Sequence, residues 1–194
     1  MEPLTLDDER IIASQLGRPP RSLLGVAHRC SHGYPQAIQV YPVIDGAPFP
    51  TLFWLTCPFL VQAIDRLEAD GWVKRMEGLL SQDSCLAHSV EEAHRRYAAE
   101  RAALLSPEDR TLLEERGMLK GLLEKGIGGT ADFRRVKCLH LHAAHALARE
   151  NPIGARVLGL LERSSCQPGE RICQIPGSRD RQNRVRAAGP ARSR

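Results

Sequence analysis

The spacing of hydrophobic positions near the N-terminus predicts a helix over residues 6–16. Thr5 precedes it as a good N-cap, and the acidic residues 7–9 fall in the first turn, where the helix dipole favours negative charge. Gly17 and Pro19 end the pattern, because glycine adopts the left-handed cap conformation and proline does not continue a helix.

Three runs rich in branched and aromatic residues follow, at residues 23–29, 36–44 and 51–56, and each predicts a strand. Asp45-Gly46 separates the second run from the third and is typical of a hairpin, although the following Ala-Pro-Phe-Pro lengthens the connection. The pattern therefore predicts a small antiparallel sheet of about three strands.

A second helical pattern begins at Pro58, which suits the first turn of a helix, and it runs to Gly71. Cys57 would then lie at the N-terminus of this helix. Residues 72–125 are predicted to be mostly helical, with alternating charges and a new N-cap at Ser106.

The glycine-rich stretch Gly126–Thr130 predicts a loop, and helices are expected over residues 132–149 and 153–162. The predicted fold class is α+β, with the small antiparallel sheet packed against several helices. We expect residues 1–163 to form a single domain and residues 164–194 to form an arginine-rich, disordered tail.

The composition agrees with a folded domain, since 42% of the 194 residues are hydrophobic and 26% are charged. The net charge of +4 is uneven, because residues 174–194 hold six arginines against Asp180 alone. Such a tail could bind nucleic acid or an acidic partner through its charge. It lacks interleaved aromatic residues, and we favour a solvated tail.

The longest apolar stretch, Pro48 to Leu60, is interrupted by prolines and is too short for a transmembrane helix. The N-terminus opens with acidic residues instead of the positive segment of a signal peptide. We therefore expect a cytoplasmic protein whose six cysteines stay reduced and can ligate a metal.

One cysteine and three histidines are concentrated in residues 136–147, which otherwise form an apolar helical pattern. On a continuous helix, Cys138, His142 and His145 share one face and His140 points away. If the helix begins only after Cys138, His140 becomes the nearby ligand and His142 can face outwards. The sequence leaves both arrangements open.

Cys30 and Cys57 are the other ligand candidates, since both follow predicted strands. A helix N-terminus also lowers the pKa of a thiol and so favours the thiolate that a metal needs. Three cysteines (Cys30, Cys57 and Cys138) with one histidine would suit tetrahedral zinc or an iron–sulfur cluster. A closed tetrad of this kind is normally structural.

Other interpretations of these residues stay open. Buried cysteines are often only core residues, and no pair has the CxxC spacing of a strong zinc motif. Cys30 or Cys57 could also be a nucleophile with His145 as its base. The remaining cysteines are weaker candidates, although Cys166 and Cys173 could form a disulfide under oxidation. The remaining histidines are expected to face solvent: His28, His32, His88 and His94.

The glycine-rich loop and nearby basic residues form a candidate anion site, since backbone N–H groups and guanidinium groups bind phosphate. The loop lacks the Gly-Lys-Ser/Thr ending of a P-loop, and a plain helix connection is the competing interpretation. The candidate residues are Arg18, Arg21, Arg29, Gly128, Gly129, Arg134 and Arg135.

Several short motifs occur in a recognisable order between residues 6 and 153. They include Arg18-Pro-Pro-Arg21, Val26-Ala-His-Arg-Cys30, Gly33-Tyr-Pro-Gln36, Phe49-Pro-Thr51, Leu55-Thr-Cys-Pro58, Arg66-Leu-Glu68, Gly126-Ile-Gly-Gly129 and Arg135-Val-Lys-Cys-Leu-His140. Together they resemble the bacterial family known as domain of unknown function 501.

The resemblance implies a single cytoplasmic bacterial domain, and its motifs include Cys30, Cys57, Cys138, His140 and His145. His142 is not part of the pattern. Neighbouring genes in related bacteria imply a partner linked to phosphate metabolism or cell division. We expect a zinc or iron–sulfur module with a structural or regulatory role. The alternatives are an enzyme that acts on a phosphate-containing substrate through Gly126–Thr130, and a metal-free adaptor protein.

Overall fold

The computed structural model describes residues 4–170 and 173, and these residues have an α+β fold. A three-stranded antiparallel sheet packs against helices, and a two-stranded hairpin lies beside it. The strands are β1 (Leu23–Arg29), β2 (Pro35–Val40), β3 (Val43–Ile44), β4 (Ala47–Pro48) and β5 (Phe53–Leu55). The helices are α1 (Leu6–Leu16), α2 (Pro58–Ala69), α3 (Trp72–Gln82), α4 (Ser84–Leu104), α5 (Pro107–Glu115), α6 (Leu119–Glu124), α7 (Leu139–Ala148) and α8 (Pro152–Gly159).

The main sheet has the order β1-β2-β5, and both pairings are antiparallel. The pairing of β1 with β2 contains register shifts, and β2 is buried along its whole length. Asp45 and Gly46 form the turn between β3 and β4, and both have positive φ angles (52° and 70°). This is the conformation that makes Asp-Gly a favoured hairpin turn. The dipeptide forms a hairpin turn as expected, but it joins β3 to β4 instead of the predicted strands 36–44 and 51–56, and the predicted strand 36–44 is divided into β2 and β3.

Helix α1 begins with a capping box, in which the Thr5 side chain accepts from the Asp8 N–H and the Asp8 carboxylate accepts from the Thr5 N–H. Asp8 is also buried against Arg29 at the end of β1, with Nη1 2.7 Å from Oδ1. Hydrogen bonding to Arg29 keeps the pKa of Asp8 well below its usual range. One carboxylate therefore starts the helix and holds it against the sheet.

Helix α7 lies at the centre of the fold, between the sheet and α8. Leu139, Ala143 and Ala144 are fully buried, and small side chains allow α8 to approach closely. At Gly154 of α8, an added Cβ would meet the backbone oxygen of His142. Helix α7, which carries three of the histidines, is therefore closely packed against α8.

Arg101 of α4 is fully buried and binds backbone oxygens instead of a carboxylate. Its guanidinium donates to Pro50 at 2.9 Å and to Gly126, and also to Leu122 and Lys125. Burial lowers its pKa. These bonds join the segment before β5 to the glycine-rich loop and α6.

The segment before α7 differs from the expected helix over residues 132–149. Two of its backbone N–H groups are bonded to side chains instead: Arg134 donates to the Asp132 carboxylate at 2.9 Å, and Val136 donates to Glu77 at 3.1 Å. Glu77 lies on α3, so a tertiary contact replaces the helical one. The helix consequently begins at Leu139.

The C-terminal residues described, 164–170 and 173, lie against the sheet. Gln36 of β2 donates to the Ser164 carbonyl at 2.6 Å, and His32 is 2.7 Å from the Cys166 carbonyl. The arginine-rich stretch 174–194 lies outside the described residues. Among the helices of the described residues, none is both long enough and apolar enough to cross a membrane.

The close contact of α8 with α7 gives a stability prediction. Gly154→Ala is expected to lower the free energy of unfolding by about 1–3 kcal/mol, because the new methyl group overpacks the interface. Gly159→Ala, in the same helix, has nothing within 4 Å of the added carbon and should be neutral or stabilising. Urea unfolding of the two variants measures the difference, and equal effects would contradict the packing argument.

Candidate metal centre

Glu68, Cys138 and His140 bring three potential metal ligands together where α2 meets α7. Their ligand atoms all lie within 4.8 Å of one another. His140 Nδ1 is 3.5 Å from Cys138 Sγ and 3.2 Å from Glu68 Oε1. All three residues are half-buried, so the group is accessible from solvent at the edge of the helix pair.

The start of α7 creates this arrangement. Cys138 is the N-cap residue and is extended, with φ −165° and ψ 134°. Leu139 N–H donates to Glu68 Oε1 at 2.6 Å, so a carboxylate from another helix satisfies the first turn. Because Cys138 is not helical, its side chain and that of His140, two residues on, project to the same side of the chain.

The charges in the group stabilise one another. The hydrogen bond with Cys138 raises the pKa of His140 to about 9, against the effect of burial, and the charge of Glu68 adds to the rise. Burial raises the pKa of Glu68, but the Leu139 N–H, Cys138 and His140 outweigh it and the net shift is downwards. Without a bound metal, the histidine therefore carries a proton at neutral pH.

The second ring nitrogen of His140 faces α2. Its Nε2 lies 3.3 Å from both Asp65 Oδ1 and the Val61 carbonyl oxygen. Such a partner orients the imidazole and leaves Nδ1 free to ligate.

His142 and His145 point in the opposite direction, into the core. Asn151 contacts both rings, with Nδ2 3.2 Å from His142 Nδ1 and 3.0 Å from His145 Nδ1. His94 of α4 is fully buried beside them, and its ring packs edge-on against the His142 ring. It was expected to face solvent, but its Nδ1 accepts the Ile127 N–H at 2.9 Å and its ring stacks on Phe133.

Burial keeps these three histidines neutral. It lowers the pKa of His142 to about 4, and those of His94 and His145 to about 3. They are core residues: Asn151 contacts His142 and His145, and His94 accepts a backbone N–H while its Nε2 is buried without a hydrogen-bond partner. The structure does not place His142 or His145 in the group with Cys138.

Cys57 lies away from Glu68 and Cys138. It is the buried N-cap of α2, and eleven residues separate it from Glu68, or about 16 Å along a helix. Cys30 directly follows β1, and its N–H donates to the Tyr34 carbonyl at 2.9 Å. The single tetrad expected from the sequence is thus divided, with Cys138 and His140 in one place and Cys57 in another.

The candidate anion residues are each engaged elsewhere. Arg18 lies over the Trp54 ring at 5.2 Å. The other four arginines face carboxylates: Arg21 with Asp45, Arg29 with Asp8, Arg134 with Glu91 and Arg135 with Glu77. The structure does not collect them around one point.

The glycine-rich loop folds on itself. Gly126, Gly129 and Thr130 donate to backbone oxygens within the loop, and the Gly128 carbonyl accepts from Lys137 Nζ at 2.9 Å. Gly128 and Gly129 have positive φ angles of 64° and 77°, and an added Cβ at Gly129 would lie 2.9 Å from Pro50. The glycines thus serve a tight turn packed on its neighbours.

Glu68 and Asp65 are the site residues that the sequence pattern did not identify. Both lie on a charged helix face, where carboxylates are usually solvated. The contact of α2 with α7 is what gives them a role, and it joins residues 71 positions apart. The Arg66-Leu-Glu68 motif contained Glu68 but carried no indication of its partner.

The described residues define a small α+β protein with a half-buried carboxylate, thiol and imidazole between two helices. Residues 26–159 match the model of a protein family described as proteins of unknown function, DUF501, and the chain belongs to this family. The match includes Glu68, Cys138 and His140 and ends before Cys166. No curated protein and no solved structure matches the chain.

The buried histidines predict acid sensitivity. Because their folded pKa values lie below the unfolded value of about 6.5, only the unfolded chain binds protons as the pH falls from about 6.5 to 4. Stability should fall in this window, by up to about 4 kcal/mol per pH unit for three protons. His140 affects stability in a different pH range. Its contribution to the free energy of unfolding is complete below about pH 6.5 and is lost as the pH rises towards the pKa of His140 in the folded protein.

Urea unfolding between pH 4.5 and 7.5 tests this directly. His145→Gln should reduce the slope by about 1.4 kcal/mol per pH unit, the value for one proton. His88→Gln removes an exposed histidine and should leave the slope unchanged. An unchanged slope in His145→Gln would show that this histidine titrates normally in the folded protein.

Proposed function

We propose that this protein is a zinc-binding protein in which Glu68, Cys138 and His140 hold one ion. The observation that carries the proposal is the spacing of the ligand atoms. With ordinary zinc–ligand bond lengths, a tetrahedral ion sets sulfur and nitrogen about 3.5 Å apart, and nitrogen and oxygen about 3.3 Å apart. The observed separations are 3.5 Å and 3.2 Å.

The surroundings of His140 also favour a metal. A ligating histidine usually donates its other N–H to a carboxylate or carbonyl, which fixes the ring and makes it more basic. Asp65 and the Val61 carbonyl occupy those positions here. Glu68 can keep its bond from Leu139 while it binds the ion, because a carboxylate has two oxygens with several lone pairs.

Three protein ligands leave a fourth position open. Zinc sites that bind water or substrate have this composition, whereas purely structural zinc sites have four protein ligands. Since the group is half-buried, a water molecule or an external ligand can reach the fourth position. We assign the site a regulatory or exchangeable zinc in a reducing compartment such as the cytoplasm, where Cys138 stays a thiol.

Zinc content and affinity test the site. The untagged wild-type protein should bind zinc at this site. Cys138→Ser and His140→Ala should each weaken the binding by about 100-fold or more, because each removes a direct ligand. Asp65→Asn should weaken it by about 10- to 100-fold through the orientation of His140. Cys85→Ser changes an exposed thiol and is the matched control.

Competition with a chromophoric chelator measures the affinities, and circular dichroism checks that each variant is folded. Equal affinity in the wild type, Cys138→Ser and His140→Ala would refute the site. A protein that binds no zinc and still melts cooperatively would favour the adaptor alternative.

Binding at this site should depend on pH. Zinc needs the neutral imidazole, so it must displace the proton that His140 holds with its pKa raised to about 9. Cys138 must also bind as the thiolate, so any proton on its thiol is released as well. The apparent affinity is therefore expected to rise by at least about tenfold per pH unit between pH 6.5 and 8.5, because at least the His140 proton is released. Calorimetry in two buffers of different ionisation enthalpy would count the protons, and zero release would contradict the assignment.

A further inference from the structure

A cavity of about 560 Å³ lies between the segment that follows α1 and the hairpin of β3 and β4. It is lined by residues 18–21, Ile44, residues 47–49 and Trp54 of β5. Small-molecule sites have volumes of roughly 300–1,000 Å³, so the cavity has the size that a small ligand needs. None of its lining residues belongs to the Glu68 group, and the cavity is therefore a separate feature of the fold.

Rigid apolar side chains form the wall of this cavity. Phe49 and Trp54 contact each other, with ring centroids 5.7 Å apart, and both pack against the buried core cluster that includes Ile38. The lining residues 19–20 and Pro48 are prolines, whose rings fix their φ angles. A site that is rigid before binding loses less conformational entropy when a ligand enters.

Hydrogen bonds hold the segment with residues 18–21 against the sheet. Ser22 directly follows this segment and has a φ of 51°, in the left-handed region that residues other than glycine rarely adopt. Its carbonyl accepts from the Tyr41 N–H at 2.8 Å, and its hydroxyl donates to the Val43 carbonyl at 3.4 Å. Unfavourable backbone conformations that neighbouring contacts maintain are concentrated at ligand sites.

The polar side chains of the cavity are all hydrogen-bond donors. They are the guanidinium groups of Arg18 and Arg21 and the indole N–H of Trp54. Among the described residues that line the cavity, none has a side-chain acceptor or a negative charge. A complementary ligand must therefore supply acceptors and negative charge, together with an apolar surface for the aromatic and proline wall.

Both arginines keep donors for such a ligand. Arg18 lies over the Trp54 ring, with Cζ 5.2 Å from its centroid, and a stacked guanidinium still presents its N–H groups at its edge. Arg21 contacts Asp45 at 3.4 Å, but 68% and 84% of the two side chains are exposed, and ion pairs as exposed as this one are weak. An anion in the cavity can therefore replace the contact between Arg21 and Asp45.

We propose that this cavity binds a small aromatic anion of the nucleoside phosphate class. Its ring lies against the wall of Phe49, Trp54 and the prolines, and its phosphate is bound by Arg18 and Arg21, whose planar guanidinium groups can each donate to two oxygens. Because the lining side chains offer no acceptor to the N–H groups of a base, binding depends little on which base is present. Purines bury more surface than pyrimidines and should bind more tightly.

Other occupants match the cavity less well. Inorganic phosphate would contact the arginines but would leave the aromatic and proline wall in water. The arginine-rich stretch 174–194 of the same chain has the wrong charge, because Arg18 and Arg21 would repel it. An aromatic anion satisfies both the charge and the apolar surface.

Calorimetric titration of the full-length protein with adenosine monophosphate (AMP) tests the proposal. The protein is first treated with a chelator, so that no zinc can bind the phosphate. AMP should bind once per chain, whereas adenosine and inorganic phosphate should each bind at least about tenfold more weakly, because each lacks half of the contacts. Guanosine monophosphate should bind about as tightly as AMP, and uridine monophosphate more weakly.

Substitutions locate the binding site. Arg18→Ala should weaken AMP binding by about 10- to 100-fold, because it removes a charged donor. Arg18→Lys should have a smaller effect, because lysine keeps the charge but not the planar donor pair. Arg75→Ala is the matched control: Arg75 also lies over a tryptophan, Trp72, at 4.7 Å, but outside the cavity. His140→Ala should leave AMP binding unchanged, so failure of the zinc site does not affect this test.

Fluorescence gives a second measurement that leaves the cavity intact. The chain has two tryptophans, so Trp72→Phe makes Trp54 the sole tryptophan. AMP should change the emission of Trp54, with the same affinity that calorimetry gives.

Three results would overturn the proposal. The first is no binding of any of the three nucleotides to the wild type at low salt, where charge interactions are screened least. The second is an equal effect of Arg18→Ala and Arg75→Ala, both shown to be folded by circular dichroism. The third is binding of a single-stranded oligonucleotide without measurable binding of the mononucleotides, which would assign this surface to a nucleic acid strand.

Discussion

The hydrogen bond from the Leu139 N–H to the Glu68 carboxylate caps the start of α7, the helix that carries His140, His142 and His145. It ends the extended segment at Cys138 and starts the helix at the next residue. If α7 began one residue earlier, its side chains would be rotated by about 100° relative to the extended chain that precedes the helix. The thiol of Cys138 and the ring of His140 would then no longer lie on the same side.

That starting point gives α7 two chemically different faces. His140 lies beside two carboxylates, which favour its proton, while His142 and His145 lie in the core, where burial disfavours one. The pKa values of these histidines thus shift in opposite directions within six residues. Because the side chain is the same, the difference comes from solvent access and neighbouring charge. One helix therefore carries a site that exchanges protons and a core layer that does not.

The sequence predicted those elements whose causes are local. The capping box at Thr5 and the Asp45-Gly46 turn depend on residues at most three positions apart, and both were recognisable. Helix α7 was predicted too early because its start depends on Glu77 and Glu68, which belong to other helices. Pattern analysis found Cys138 and His140 as candidates but could not choose between the two helical phases.

The same limit applies to the cysteines. Cys57 was recognised from its place at a helix start, but its neighbour Cys173 is over a hundred residues away, and only the fold brings them together. Helix α2 carries Glu68 in its last turn, so the packing of α2 against α7 positions the proposed zinc ligands. A ligand that binds only the folded chain stabilises it. Metal bound by Glu68, Cys138 and His140 would therefore strengthen the contact between α2 and α7 that positions these ligands.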